Sequence, residues 1–170
     1  MSESYADDAP APASSGFLIV ALGSVVAVIL LILAFTYNSS RPARIASLYT
    51  SVAAPANQAL TAEVAAYNRD QRTNLTAAKA DLAKLIDTAT TFDAGIIAVA
   101  FPGSASHAAA RLVNADLARI KLFRQQAKAT TLRQLRSFNT RDQVANALVA
   151  AQAQQTRLAL GLPAPSGQQY

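Results

Sequence analysis

Leu75 to Phe101 reads LTAAKADLAKLIDTATTFDAGIIAVAF. Within it Leu75, Ala78, Leu82, Leu85, Ala89, Phe92 and Ile96 recur at alternating steps of three and four. That spacing lays seven side chains along one stripe of an α-helix, the pattern of a helix packed nearly parallel or antiparallel to neighbours. The segment Phe92 to Phe101 also has the length and apolarity of a short strand, but a lone strand has no pairing partner. It is therefore read as helix continuing from the seam, with a kink at Gly95 as its weak point.

Shorter stripes flank this seam. Upstream, Leu60, Val64 and Tyr67 fall on one face, and Pro55 is expected to start or kink that helix. Arg41-Pro42 opens a connector before it. Downstream, the breaker Phe101-Pro102-Gly103 precedes a helix marked by Val113, Leu117 and Ile120, with Ser104 or Ser106 as its N-cap. Thr140 before Arg141-Asp142 is the expected N-cap of a last helix that turns Val144, Leu148 and Ala151 to one face. Gly161-Leu162-Pro163-Ala164-Pro165 ends it, since glycine serves as a C-cap and proline cannot continue the turn.

A second kind of segment lies further upstream. Gly16 to Tyr37 reads GFLIVALGSVVAVILLILAFTY, without a charge. At about 1.5 Å per residue it extends roughly 33 Å, enough to cross a hydrocarbon core of about 30 Å. A cleaved signal peptide would begin with a basic region, whereas residues 1–15 carry Glu3, Asp7 and Asp8 and no Lys or Arg. Gly23 and Ala27 form a small-xxx-small pair suited to close transmembrane packing, although an ordinary scatter of small residues in an alanine-rich span is the favoured explanation.

The fold class expected is all-α: one N-terminal transmembrane helix followed by a small antiparallel bundle of about four helices. The boundaries are 1–15 for a disordered acidic tail, 16–37 for the span, 38–55 for a connector, 56–162 for the bundle and 163–170 for a flexible tail. Much of the apolar content of this 170-residue chain is alanine. Alanine favours helix but buries little surface, so the core is expected to be thin.

Chemistry is scarce. The chain has no cysteine, which excludes disulfides, thiolate metal sites, cysteine nucleophiles and a lipid-accepting cysteine. His107 is the one histidine; it stands near a helix start without metal-ligand spacing and is read as incidental or partly buried. A di-iron bundle needs several glutamates and two ExxH pairs, and Glu63 is the only glutamate after the tail. The aspartates Asp70, Asp81, Asp87, Asp93, Asp116 and Asp142 come no closer than six positions apart. Six positions separate side chains by about 120° around a helix, so no acid/base pair forms within one. They read as solvated charges or local partners, with Asp81–Lys84 and Asp116–Arg119 as i,i+3 pairs. Phosphate-binding and hydrolase signatures are absent from the chain. Short Asn-x-Ser/Thr matches occur at Asn38 and Asn74. No catalytic, cofactor or metal residue is therefore assigned.

One asymmetry remains. Arg111, Arg119, Lys121, Arg124, Lys128, Arg133, Arg136 and Arg141 are opposed within that stretch only by Asp116. The steps at 121, 124 and 128 place charges along one helix face. The plain reading is a solvated face. The functional reading makes Arg119, Lys121, Arg124, Lys128, Arg133 and Arg136 the contact residues for anionic lipid or an acidic protein. Nucleic acid ranks last, because stacking aromatics are missing: Phe123 and Phe138 suit the core better.

The segments FDAGIIAVAFP (92–102), RLVNADLARI (111–120), QQAKATTLRQLRSFNTRDQVANALVAAQ (125–152) and LALGLPAP (158–165) together resemble a group of uncharacterised exported or membrane-anchored helical-domain proteins of actinobacteria ending in an LGLP motif. The resemblance covers roughly residues 56–165 and implies a domain presented outside the cytoplasmic membrane. Arg41 and Arg44, just after the span, favour the opposite orientation by the positive-inside rule. The expectation adopted is a noncatalytic single-pass protein of the cytoplasmic membrane with an extracytoplasmic domain. It would serve as an accessory or interaction subunit among other membrane proteins, or as a peripheral binder of an anionic partner through Arg111 to Arg141. Its oligomeric state is open.

Overall fold

The computed structural model describes residues 16–163, with side chains from Arg41 onward. The tails 1–15 and 164–170 and the side chains of the predicted span, Gly23 and Ala27 included, lie outside the described residues. No helix among the described residues is long and apolar enough to cross a membrane. The chain divides into two compact units, 1–40 and 41–170, and all packing below belongs to the second.

The described elements are α1 (Gly16–Asp70), α2 (Leu75–Ala98), α3 (Gly103–Gln126), the single turn α4 (Leu132–Arg136) and α5 (Asn139–Ala159). Among the described residues there is no strand, so the expectation of an all-α bundle holds. The heptad seam reads true: Ala78, Leu82, Leu85, Ala89, Phe92 and Ile96 are all buried on α2. Full burial of Leu82, Leu85 and Ile96 contributes roughly 1.5–3 kcal/mol each. Asn74 starts this helix by accepting the Ala77 amide on its side chain at 3.0 Å, a capping role for one of the two Asn-x-Ser/Thr matches.

Successive long helices run antiparallel. Glu63 on α1 accepts from Thr88 on α2, while further back along α1 Val52 meets α2 at Gly95. On α3 and α5, Arg111 reaches Gln152 and Arg119 reaches Asn146. Two apolar clusters result. One gathers Tyr49, Ala53, Phe92, Ile96, Ala109, Leu112 and Val113; the other gathers Tyr67, Ala78, Leu82, Leu85, Phe123, Ala129 and Leu135. Leu60 and Val64 pack against the second cluster, as their stripe with Tyr67 anticipates.

Several expectations need correction. Residues 41–55 form no connector: they are helical, and Ile45, Ala46, Tyr49 and Ala53 are buried. Pro42 and Pro55 sit inside α1. Ser51 and Pro55 are both exposed, so water can serve the Ser51 carbonyl that proline leaves without an amide. α3 takes Pro102 as N-cap rather than Ser104 or Ser106, and α5 takes Phe138 rather than Thr140; neither cap has a side-chain hydrogen bond. Leu117 is 51% exposed, and the face of Val144, Leu148 and Ala151 points away from the core. Gly161 does end α5, at φ 69°, with Leu162 N–H donating to the Arg157 carbonyl and Gly161 N–H to that of Leu158. This is a Schellman closure, and its Leu162 packs back on the first cluster.

Candidate functional site

Polar groups divide the interior. Asp116 is completely buried on α3, and Arg119, one turn on, is 8% exposed. Arg119 donates to one Asp116 oxygen through Nε at 2.7 Å and Nη2 at 2.6 Å. Its Nη1 donates to Asn146 of α5, and its guanidinium lies 5.8 Å from the Phe123 ring centroid. Asp93 enters from α2, 4% exposed, with no hydrogen-bond partner on either oxygen. Burial, and then the nearby Asp116, push the Asp93 carboxyl up to about 7, against a smaller opposing pull from Arg119. Burial also raises Asp116, over the lowering effect of Arg119.

A second polar knot joins α1, α3, α4 and α5. The Gln126 amide nitrogen donates to the Tyr67 hydroxyl at 2.6 Å, to Asp142 at 2.9 Å and to the Leu135 carbonyl at 3.2 Å. Two amide hydrogens thus serve three acceptors. Burial raises Tyr67, with Asp142 adding to it, and burial also raises Asp142.

These contacts overturn part of the sequence reading. Asp81, Asp93, Asp116 and Asp142 are buried rather than solvated, because other helices pack over them, and that covering is not revealed by spacing along one helix. The Asp81–Lys84 and Asp116–Arg119 pairs do form. Arg119 drops out of the predicted contact surface: its charge is spent inside the bundle.

The other five predicted contacts, Lys121, Arg124, Lys128, Arg133 and Arg136, are exposed. Between Asp116 and Asp142 the sequence holds no acidic residue. Among the described residues none of the five has an ion-pair partner. Arg136 reaches only the Arg72 carbonyl, which brings Arg72 to the same end of the domain. Lys79 joins it there by donating to the Ala129 carbonyl, and Arg141 stacks on Phe138 with its guanidinium 4.3 Å from the ring centroid. Phe123 is buried, as expected. The result is a basic end built from the α1–α2 turn, the close of α3 and α4. It lies about 45 Å along α1 from Arg41, counting about 1.5 Å per residue.

His107 is exposed in the second turn of α3. No group of three His, Asp or Glu residues among the described ones is placed to hold a metal. An open groove of about 640 Å³ runs along α1 past Thr50, Asn57, Gln58 and Thr61 to Arg157. Arg157 is occupied there, donating twice to the Pro163 carbonyl. No family model, curated protein or solved structure matches the chain.

Proposed function

We propose that this chain is a noncatalytic single-pass membrane protein, an accessory or interaction subunit whose helical domain offers its basic end to an acidic surface of a membrane-protein partner. One observation carries the reading. Lys121, Arg124, Lys128 and Arg133 are exposed without an ion-pair partner among the described residues, in a stretch with no acidic side chain. Unpaired cations of one sign raise the local potential, speed encounter with an acidic surface and select against basic ones. The anchor in this proposal is the uncharged segment 16–37. The extracytoplasmic placement follows the resemblance of residues 56–165.

The second reading gives the same charges to anionic lipid headgroups. A mild-detergent pull-down from native membranes, with wild type beside a Lys121→Gln/Arg124→Gln/Lys128→Gln variant, separates the two. A stoichiometric protein partner lost in the variant and at high salt supports the accessory-subunit reading. Recovery of lipid alone, with vesicle binding lost in the variant, transfers the site to lipid. A partner retained in the variant refutes the role of the basic end. Reagents applied to either side of sealed vesicles, reading a cysteine introduced at Ser137, decide the orientation.

A further inference from the structure

Two separate clusters hold α2. Its first half packs through Ala78, Leu82 and Leu85 with Tyr67, Phe123 and Leu135, and there Lys79 donates to the Ala129 carbonyl and Thr88 to Glu63. Its far end packs through Phe92 and Ile96 with Tyr49, Leu112 and Val113. Past the helix, Phe101 adds an edge contact to Tyr49, ring centroids 6.4 Å apart, before Gly103 at φ 46° turns the chain into α3. Asp93 lies in this far end, 4% exposed and with no donor to either oxygen. From α3 it is faced by Asp116, whose second oxygen also lacks a donor, and by Arg119, already bonded to Asp116 and Asn146. Among the described residues, other elements bring it no compensating charge. Residues 45–62 of α1, which α2 crosses where Val52 meets Gly95, contain no charged group and Tyr49 as their one titratable side chain. α5 has no charge from Gln143 through Thr156, and Asp142 is bonded to Gln126. His107, Arg111 and Asp87 are exposed, and the last turn of α2 has no basic residue. An ionised Asp93 in this packing would be a buried carboxylate beside a second one, without a donor, so the closed packing admits the protonated form alone.

We propose that Asp93 is a proton-operated latch: protonated, it lets the end of α2 from Phe92 onward close on α3, and on releasing its proton to water it drives that end outward while the first half of α2 stays packed. Ala94, Ile97 and Ala98 already face solvent, so an outward swing brings Asp93 to water without burying anything new. The swing breaks the contacts of Phe92 and Ile96 and uncovers Tyr49, Leu112 and Val113 of the first cluster. It leaves the second cluster untouched, because the two share no residue. Asp116 stays paired with Arg119 on α3 in both states. Such an opening is local, involving the part of the helix with the fewer fastenings rather than the whole domain. Burial, with Asp116 adding to it, raises the Asp93 carboxyl from 3.8 to about 7, which sets the pH window. The closed end holds a proton that the open end has released. Opening therefore grows about tenfold per pH unit from about pH 5 to about pH 7 and levels off once the closed form ionises too.

Amide hydrogen exchange of the full chain in mild detergent, corrected for the intrinsic rate, reads the two halves of α2 side by side. Protection of the amides of residues 93–99 should fall about tenfold per pH unit from about pH 5 to pH 7 and then level off. At about pH 8 it should stand at least about tenfold below that of residues 78–85, and low urea should lower the protection of 78–85 while leaving that of 93–99 unchanged, the mark of a local opening. In Asp93→Asn the fall over residues 93–99 should shrink to within about threefold, because the amide has no proton to release in this range. Equal protection and equal urea dependence in both halves at pH 8 make the opening a whole-domain unfolding and overturn the latch. Protection of 93–99 that is flat with pH in the wild type overturns it as well, with no variant needed. A slope that survives in Asp93→Asn assigns the proton to another group and overturns it too.

Discussion

Replacing Asp93 with asparagine should stabilise the domain above neutral pH. The carboxyl is 4% exposed, neither oxygen has a hydrogen-bond partner, and the nearest guanidinium is already committed to Asp116. Its pKa rises from the ordinary 3.8 to about 7, so the folded chain holds a proton that the unfolded chain has released. Stability from this group is fully present below about pH 4 and is lost as pH climbs through about 7. At about 1.4 kcal/mol per unit, a shift of about three units corresponds to about 4 kcal/mol as an upper bound. The buried amide still needs partners, so the net gain from Asp93→Asn at about pH 8 should be about 1–3 kcal/mol, shrinking toward zero near pH 4. Urea unfolding of the full chain in mild detergent, followed by far-UV circular dichroism, measures both. Wild-type stability should fall between about pH 5 and pH 8, and the variant should fall less steeply. Asp116 and Asp142 are raised by burial as well and preserve part of the slope. Wild-type stability that is flat or rising over this range, or a variant with an undiminished slope, refutes the account of an unpaired buried carboxyl.

Other substitutions probe the remaining contacts. Gly95→Ala gains up to about 1 kcal/mol in helix propensity, yet its Cβ would fall 2.6 Å from Val52 Cγ1. Val52 has one strongly preferred helical rotamer, so a net loss of about 1–2 kcal/mol is expected from overpacking, relieved by adding Val52→Ala; the double variant's denaturation midpoint checks it. Gln126→Leu strips the Tyr67 hydroxyl and Asp142 of their shared donor and should cost about 2–4 kcal/mol in the same assay. Arg119→Gln leaves the fully buried Asp116 without its counter-ion. It should cost about 3–5 kcal/mol, whereas Arg124→Gln, on the exposed side of the same helix, should change stability by less than about 0.5 kcal/mol.

Legibility in the sequence followed the size of the side chains. The α2 seam is clear because Leu82, Leu85, Phe92 and Ile96 make a strong periodic signal, and each is buried where the spacing puts it. The start of the bundle was hidden. Ala46, Ala53 and Ala56 are weak markers of a buried face, and Pro42 and Pro55 suggest a break where the helix in fact continues. On α5 the periodic rule picked the wrong side. Val144, Leu148 and Ala151 are the more apolar row, but Asp142, Asn146 and Thr156 turn inward to meet Gln126, Arg119 and the adjoining core.

Local properties were therefore decided by sequence alone: helical periodicity, the capping glycine at 161, the uncharged stretch 16–37 and the run of cations without acids. Each depends on neighbours a few residues apart, which helix geometry relates directly. Tertiary structure decided which charges remain available. Arg119 and Arg124 look alike in sequence and lie about 1.4 turns apart on α3. One is held against Asp116 in the core, and the other is exposed. Asp116 itself is only three positions from Arg119, but its burial, and the Asn146 of α5 that takes the guanidinium's remaining bond, come from the packing of whole helices, which nothing in the local sequence reveals.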